Sequence, residues 1–521
     1  MKNGREKAKS RGWIATGHRL TSEAAAVVLR GGGNAFDAAL AAGFAASVTE
    51  PMFTSLGGGG FLLARSADGR DVLFDFFADT PGRGLPERML EPHFVPMTVH
   101  FPALDQVFNI GLGSVAVPGT LAGFLHVHRR LGRLPLREVI APAVGLARDG
   151  VVLTEFQAYV VGLLEPINTL SPTGRGLYAP EDRRPVAGES LVNRDLASFL
   201  EALPDFGGRG LYEGALAERI ARDMREGQGL LTAQDLAAYR VAERDPLEIA
   251  YRGHRLLTNP QPSFGGSLIA HSLALLEACD PSRWRWGSGE HLCGLAAVME
   301  EVENLRRDGD PAAPLSREFR EAACGRIRRA SGGTTHISVS DVEGNAASLS
   351  LSNGEGSGYV VPGTGIMLNN MLGEDDLHPE GFHATPPGRR VASMMSPSLL
   401  LRDGTLRLIV GSGGSKRIRT TLLQIVSDLV DFGMSVREAV NAPRIHWDGE
   451  MLQAEPGFAA DAVAALEGRW RVNAWAERNL YFGGAHAVDP AHEAAADPRR
   501  GGHAMDVGHH GDSVQRAGDR A

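Results

Sequence analysis

The sequence predicts an α/β (α+β) protein in which β-sheets pack together with helices outside, and three observations carry that prediction. Strand hairpins stand at both ends of the first 420 residues, a long stretch of helical pattern separates them, and the composition suits neither a coiled coil nor a disordered chain. Of 521 residues 43% are hydrophobic, enough for a large core, while 65 glycines point to many loops. No period of about 20 to 50 residues suggests a solenoid.

Taken in order, Thr21 and Ser22 offer caps for a helix running to Arg30, Gly31 to Gly33 end it, and Asn34 caps a second, alanine-rich helix that stops before Pro51. The longest apolar stretch, Ala38 to Val48, lies in that second helix; it is too short to cross a bilayer and reads as a core helix. SLGGGG, Ser55 to Gly60, leads into FLLARS, a turn at Asp68 and Gly69, and VLFDF, a β-hairpin. From Ala116 to about Leu276 the pattern is mostly helical, punctuated by Pro118-Gly119, Pro135, Pro142 and a cap signal at Thr232 to Asp235. Strands return at Thr334 to Ser340, Ala346 to Ser352, Gly365 to Leu368, and Pro397 to Leu401, which turns at Asp403-Gly404 into Leu406 to Val410. A helix follows the GSGGSKR loop at about Arg419 to Phe432. The tail after Asp497 is rich in Gly, His and Asp and reads as frayed, with His503, His509 and His510 able to bind stray metal.

Several function classes fall away. The formal charge of -9 is modest, and Lys and Arg are scattered, so no footprint for nucleic acid is present. Cys279, Cys293 and Cys324 lie far apart without zinc spacing and read as buried thiols in a reducing compartment. The N-terminus is basic but lacks the apolar run of a signal peptide, so the expectation is a cytoplasmic protein that neither spans nor binds a membrane. Gly111 to Ala116 approximates a dinucleotide fingerprint, but Pro118-Gly119 follows where a helix should run. GEGSG, Gly354 to Gly358, does not centre its serine as a nucleophile elbow does.

One stretch, SGGTTHISVS at 331 to 340, asks for a chemical explanation. Thr334, His336, Ser338 and Ser340 share one face of an alternating strand, and Ser348, Ser350 and Ser352 share one face of the next. With DVEGN as the turn, mirror pairing sets Ser340 against Ala346, Ser338 against Ser348, His336 against Ser350 and Thr334 against Ser352. A hydroxyl nucleophile needs a base, and Thr334 supplies its own if the preceding peptide bond is cut, because the freed α-amine has a pKa of about 7.7 to 8.0. Gly332 and Gly333 leave the backbone free to expose the Gly333 carbonyl to the Thr334 hydroxyl. The basic GRIRRA, Gly325 to Ala330, suits an exposed loop whose cut end swings away.

At several separated places the chain resembles the γ-glutamyltranspeptidase family of N-terminal nucleophile hydrolases. The resemblance lies in RGGGNAFDAALAAGFAASVTEP, LGGGGFLL, GSVAVPGTLAGF, LARDG, GLLTAQDLAAYRV, TTHISVSDVEGNAASLSLSN, GTGIMLNN, SMMSP and GSGGSKRI, in the family's order, and covers most of the chain. It implies a four-layer αββα fold and a precursor that cuts itself between Gly333 and Thr334 into chains 1–333 and 334–521, which stay together as one unit. It further implies Thr334 as nucleophile, Ser352 (or Ser350) as its supporting hydroxyl, Asn353 and Ser393 as substrate contacts, and the backbone amides of Gly413 and Gly414 as an oxyanion hole. No metal or organic cofactor is implied. The acid expected to hold a substrate amine is Asp375 or Asp376, with Glu374 beside them.

Two departures bear on substrate. Met394 replaces the second serine of the family's SSMSP, and Phe77 stands where the family has an arginine that pairs with the α-carboxylate of the glutamyl group. Losing an arginine fork should weaken the grip on a γ-glutamyl group unless Arg83 or Arg65 reaches in instead. The leading expectation is therefore a γ-glutamyl hydrolase or transferase acting on amides such as glutathione. The alternatives are a same-fold acylase for another amide, or an uncut protein that binds a small metabolite.

Overall fold

The computed structural model describes residues 10–91, 93–101, 104–207, 209–308, 333–378, 381–382 and 384–508. Along the chain the strands of its two large sheets are β1 (Gly12–Thr16), β2 (Gly59–Arg65), β3 (Asp71–Phe76), β4 (Ala242–Arg244), β5 (Leu247–Tyr251), β6 (His254–Thr258), β7 (Thr335–Asp341), β8 (Ala346–Ser352), β9 (Ser398–Arg402), β10 (Thr405–Gly413), β11 (Gly484–Asp489), β12 (Glu493–Ala496) and β13 (His503–Asp506). One sheet has the order β13-β1-β7-β8-β2-β3-β4 and the other β12-β11-β10-β9-β6-β5, and neighbours in both run antiparallel.

Outside the first sheet lie α1 (Arg19–Arg30), α2 (Ala35–Thr49), α3 (Leu136–Asp149) and α4 (Arg194–Phe206); outside the second lie α5 (Phe264–Cys279), α6 (Gly289–Asp308) and α7 (Arg417–Val430). The result is the four-layer αββα sandwich. Asn34 accepts from the backbone amides of Phe36 and Asp37, as a capping box requires, and every residue of α2 is buried. α2 packs on β7 and β8, so its alanines meet Ile337, Val339, Ala347, Leu349 and Leu351 in one core; a second core fills the space between the sheets and under α5 to α7.

The odd-numbered face of β7 is thus apolar and the even-numbered face looks toward the second sheet. That inter-sheet face is polar and satisfied: Ser338 donates to the His486 carbonyl and Ser348 to the Val410 carbonyl. His336, fully buried, meets Ser350 at 2.8 Å and Ser338 at 3.1 Å, and its ring lies where a side chain on Gly411 would be, 2.3 Å from a Cβ there. Burial holds its pKa well below the usual histidine value, so the ring is neutral. The predicted register is found, with Ser340, Ser338 and His336 opposite Ala346, Ser348 and Ser350.

Strands from before and after the Gly333–Thr334 bond alternate in the first sheet. β13, β7 and β8 come from the later part, and β1, β2, β3 and β4 from the earlier part. A cut there would leave two chains hydrogen-bonded along three strand pairs of this sheet, β13 with β1, β1 with β7, and β8 with β2, and along β6 with β9 in the second.

Four expectations need correction. The stretch from Ala116 to Leu276 holds a β-hairpin, β5 and β6, which forms one edge of the second sheet; turn geometry at Arg252, with φ of 43°, and Gly253, with φ of 76°, breaks the helical pattern. The tail is not frayed as far as residue 508: Pro498–Arg500 makes a 3-10 turn capped by Asp497, and β13 pairs with β1, placing His503 against Thr16. His509 and His510 lie outside the described residues, as does Cys324. Cys279 is exposed and Cys293 only partly buried, because each lies on a helix of the outer layer. α1 begins earlier than predicted, with His18 as its cap and Thr21 and Ser22 buried within its first turn.

Among the described residues no helix is long and apolar enough to cross a membrane. GRIRRA lies outside the described residues.

Candidate active site

Thr334 sits at the mouth of β7 with 5% exposure, and two side chains, Ser352 and Glu355, converge on it and on Gly333. Ser352, at the end of the partner strand β8, donates to the Gly333 carbonyl at 2.5 Å and lies 3.5 Å from the Thr334 hydroxyl. The Gly354 amide donates to Ser352 Oγ at 3.1 Å, which fixes that hydroxyl. Glu355 accepts the Gly333 amide at 3.0 Å. Both polar groups of Gly333 are therefore held, and a Cβ there would fall 2.5 Å from the Gly354 carbonyl oxygen. Ser350, the other hydroxyl proposed from sequence, is occupied by His336 and does not reach Thr334.

The glycine pair lies beside Thr334. A Cβ on Gly413 would fall 2.1 Å from the Thr334 carbonyl oxygen, so only glycine lets β10 come this close, and Gly414 follows at φ of 115°. A chain that passes Thr334 with no side chain between presents its backbone to the reacting atoms.

A small cavity of about 20 Å³ touches Thr334, Ser352, Ser393 and Glu374, and its other walls are mainly apolar: Phe77, Leu377, Met394, Met395 and Ile418. Ser393 faces it and accepts the Met395 amide at 3.1 Å. Phe77 is 1% exposed and stacks on Phe61, with ring centroids 5.4 Å apart. Neither candidate substitute arginine lines the cavity. Arg65 is held at the far end of β2 by Asp71, directly opposite it on β3, and Arg83 turns toward Asp235. No arginine or lysine lines it among the described residues.

The acidic loop divides three ways. Asp375 is exposed and away from the cavity. Asp376 is buried but paired with Lys416 at 2.9 Å and bonded by Ser415, so its charge is met inside the protein. Glu374 lines the cavity, and its Oε1 is buried without a hydrogen-bond partner among the described residues. Burial pushes Glu355 and Glu374 above the usual carboxylate range, and the charges of Glu355 and Asp376 add to the effect on Glu374. Asn353 is buried beside Gly58 and does not line the cavity.

Sequence reasoning missed Glu355, Lys416, Glu50 and Arg500. Arg500 reaches from the supposed tail to donate to the Thr334 carbonyl at 3.0 Å. Glu50 accepts from Thr335 at 2.7 Å, and burial raises its pKa to about 7. A signal for Arg500 was present in Asp497-Pro498-Arg499-Arg500, an N-cap acid before a proline at the first helical position.

A strand-borne threonine, a paired hydroxyl on the preceding carbonyl and a side-chain-free strand across from it make an arrangement suited to acyl transfer through a hydroxyl. Comparison with known proteins agrees. The family model for gamma-glutamyltranspeptidase matches residues 21–507. The glutathione hydrolase proenzyme of Escherichia coli (strain K12) is 32% identical, with 88% of this chain and 85% of that protein covered. The acylase ACY 1 proenzyme of Pseudomonas sp. (strain SE83) is 34% identical over 88% of this chain and 87% of that protein. The crystal structure of cephalosporin acylase from Bacillus halodurans shares the fold, with a TM-score of 0.83 at 24% identity and 97% of each chain covered. The chain belongs to the γ-glutamyltranspeptidase family. It is an enzyme, a self-processing amide hydrolase or transferase of the N-terminal nucleophile type.

Proposed function

We propose that this enzyme is an amide acylase whose acyl group carries no α-carboxylate. It cuts itself between Gly333 and Thr334, giving chains 1–333 and 334–521. In the cut itself, Thr334 Oγ attacks the Gly333 carbonyl carbon while Ser352 steadies the developing oxyanion. Collapse of that adduct breaks the Gly333–Thr334 C–N bond, which leaves Gly333 as an ester on Thr334 Oγ and frees the Thr334 α-amine, and water then hydrolyses the ester to a Gly333 carboxylate and the free hydroxyl. That amine then serves as the base for attack by the same hydroxyl on a substrate amide, with the Gly413 and Gly414 amides receiving the oxyanion. The acyl group passes to water or to an amine.

The observation that carries this reading is the wall of the Thr334 cavity. Phe77, Leu377, Met394, Met395 and Ile418 line it, and no cationic side chain does among the described residues. A carboxylate there would be desolvated without a partner, whereas an alkyl or aryl acyl chain gains about 25 cal/mol for each Å² it buries. The similarity to an acylase proenzyme supports the same choice. Glu374 favours a second reading, since a buried acid facing the cavity suits the amine of a γ-glutamyl group, and Asp376 is already neutralised by Lys416.

The test has two stages. Intact mass and N-terminal sequencing of the protein beside its Thr334→Ala variant should show two chains, the smaller beginning at Thr334, against one chain in the variant. The processed enzyme is then offered butyryl, phenylacetyl and γ-glutamyl p-nitroanilides. A kcat/KM highest for γ-glutamyl would overturn the acylase reading, and one intact chain in both proteins would overturn the nucleophile.

A further inference from the structure

A second cavity, of about 340 Å³, lies on the far side of β7, where Glu50, Phe53, Phe156, Val160 and Arg500 are among the residues that line it. It falls in the size range of small-molecule sites and is more than ten times the volume beside Thr334. Its walls come from the end of α2 and the loop after it, from the helix Glu155–Leu163, and from the turn Pro498–Arg500. Thr154 and the exposed Glu155 lie among its lining residues; the buried ones are apolar (Met52, Phe53, Leu153, Val160, Val161) together with His18, Thr49, Glu50, Gln157 and Arg500.

Arg500 is 5% exposed and makes no ion pair among the described residues, in contrast to its neighbour Arg499, which meets both Glu455 and Asp497. It donates to two carbonyls, of Thr334 at 3.0 Å and Leu480 at 3.4 Å, and its guanidinium stands 5.3 Å from the centre of the Phe53 ring. Its Nε is buried with no hydrogen-bond partner among the described residues. A buried guanidinium with a free N–H, beside a cavity walled by aromatic and aliphatic side chains, is matched by a carboxylate on an apolar body. Glu50 and Asp497 act on Arg500 through space, but neither makes an ion pair with it among the described residues, and Glu50 accepts instead from Thr21 and Thr335.

We propose that this cavity binds a small monocarboxylate with an aryl or alkyl body, Arg500 being its charge partner. The site is separate from the cavity at Thr334 and shares no lining residue with it. Two of its residues nonetheless bond directly to the pair at the head of β7, Arg500 to the Thr334 carbonyl and Glu50 to the Thr335 hydroxyl. A ligand there acts on the proposed nucleophile Thr334 and its neighbour Thr335 without touching the acyl group.

The test is calorimetric titration of the uncut Thr334→Ala chain with 3-phenylpropanoate, and separately with 3-phenylpropan-1-ol as the uncharged match. The acid should bind at least tenfold more tightly than the alcohol. Arg500→Gln should remove that preference, Val160→Phe should abolish binding of both by filling the space, and Glu155→Gln should tighten the acid by lifting a repulsion at the mouth. Acid and alcohol binding equally, or undiminished acid binding by a folded Val160→Phe protein, would overturn the proposal. Because the uncut chain is used, failure of the acylase reading leaves this result untouched.

Discussion

Replacing Ser352 with alanine should slow self-cleavage by about 100- to 1,000-fold. The Ser352 hydroxyl donates to the Gly333 carbonyl oxygen at 2.5 Å, the atom that becomes an oxyanion when the Thr334 hydroxyl adds to the carbon. Losing one such donor typically costs about 2.7 to 4 kcal/mol of transition-state stabilisation, which is the stated range of rates. The same change leaves the Gly354 amide without its acceptor, at a cost of about 1 to 3 kcal/mol to the fold, small enough for the chain to remain folded. The assay is a pulse of cell-free synthesis followed by denaturing gels over hours, reading the disappearance of the 55.5 kDa chain into pieces of roughly two-thirds and one-third its mass. Circular dichroism checks that the uncut material is folded. Ser352→Thr keeps the hydroxyl and should cut within about tenfold of the parent rate. A folded Ser352→Ala chain that cuts as fast as the parent would refute the reasoning, because Ser352 would then be a neighbour of the scissile carbonyl and not its donor.

Three further outcomes follow from the same geometry. Glu50 is 6% exposed, and burial raises its pKa from 4.5 to about 7, so the unfolded chain releases its proton first. Its contribution to stability is complete below about pH 4.5 and is lost as pH rises through 7, a change of about 3 kcal/mol; in the uncut Thr334→Ala background, urea unfolding of Glu50→Gln should lack that slope, and parallel curves would contradict it. Phe77→Arg places a cation in the cavity wall and should shift kcat/KM toward γ-glutamyl over butyryl p-nitroanilide by about 10- to 100-fold, the worth of one hydrogen bond to a charged group; an unchanged ratio would count against Phe77 as a determinant of specificity. Gly413→Ala puts a methyl 2.1 Å from the Thr334 carbonyl oxygen and 3.0 Å from the Arg500 guanidinium, so either β10 or β7 must move; cleavage should be lost while Gly176→Ala, an exposed control with open space around it, is cut normally.

What the sequence discloses is what neighbouring residues determine. α2, the β2–β3 and β7–β8 hairpins and the β9–β10 pair are legible because alternation or a cap and a Gly-containing turn lie within a few residues of each other. The same holds for Thr334, Ser352 and the glycine pair, whose spacing along two hairpins sets their approach. β1 is not legible, since GWIAT is five residues long and pairs only with β7 and β13, more than 300 positions away. The segment after Asp497 misleads for a related reason: its Gly, His and Asp content resembles a solvated tail, yet Asp497 is wholly buried between Arg444 and Arg499, at 2.8 and 3.1 Å. Those attractions outweigh burial and hold its carboxyl below the usual range, so the polar segment is fixed by charge pairing instead of apolar packing. Arg500 comes with it: the Asp497-Pro498 cap signal marks the turn, but its reach to the Thr334 carbonyl, 166 positions away, is set by that pairing and not by the residues around it.

The space beside Thr334 gives the self-cleavage a second consequence. About 20 Å³ holds roughly one water and no acyl group, and the walls that would have to part are side chains already packed, Phe77 on Phe61 and Met394 beside Met395. What can leave is Gly333, which is held by two hydrogen bonds, to Ser352 and Glu355, and by its peptide bond to Thr334. Breaking that bond exchanges a covalent tether for two contacts of ordinary strength, and departure of Gly333 also returns Ser352 and Glu355 to the site as a free donor and a free acid. In the proposed mechanism the uncut chain is inert because its nucleophile has no amine to act as base, and Gly333 occupies the Ser352 hydroxyl that borders the cavity. The interleaved strands would let that cut be made while the sheet that carries β7 remains whole.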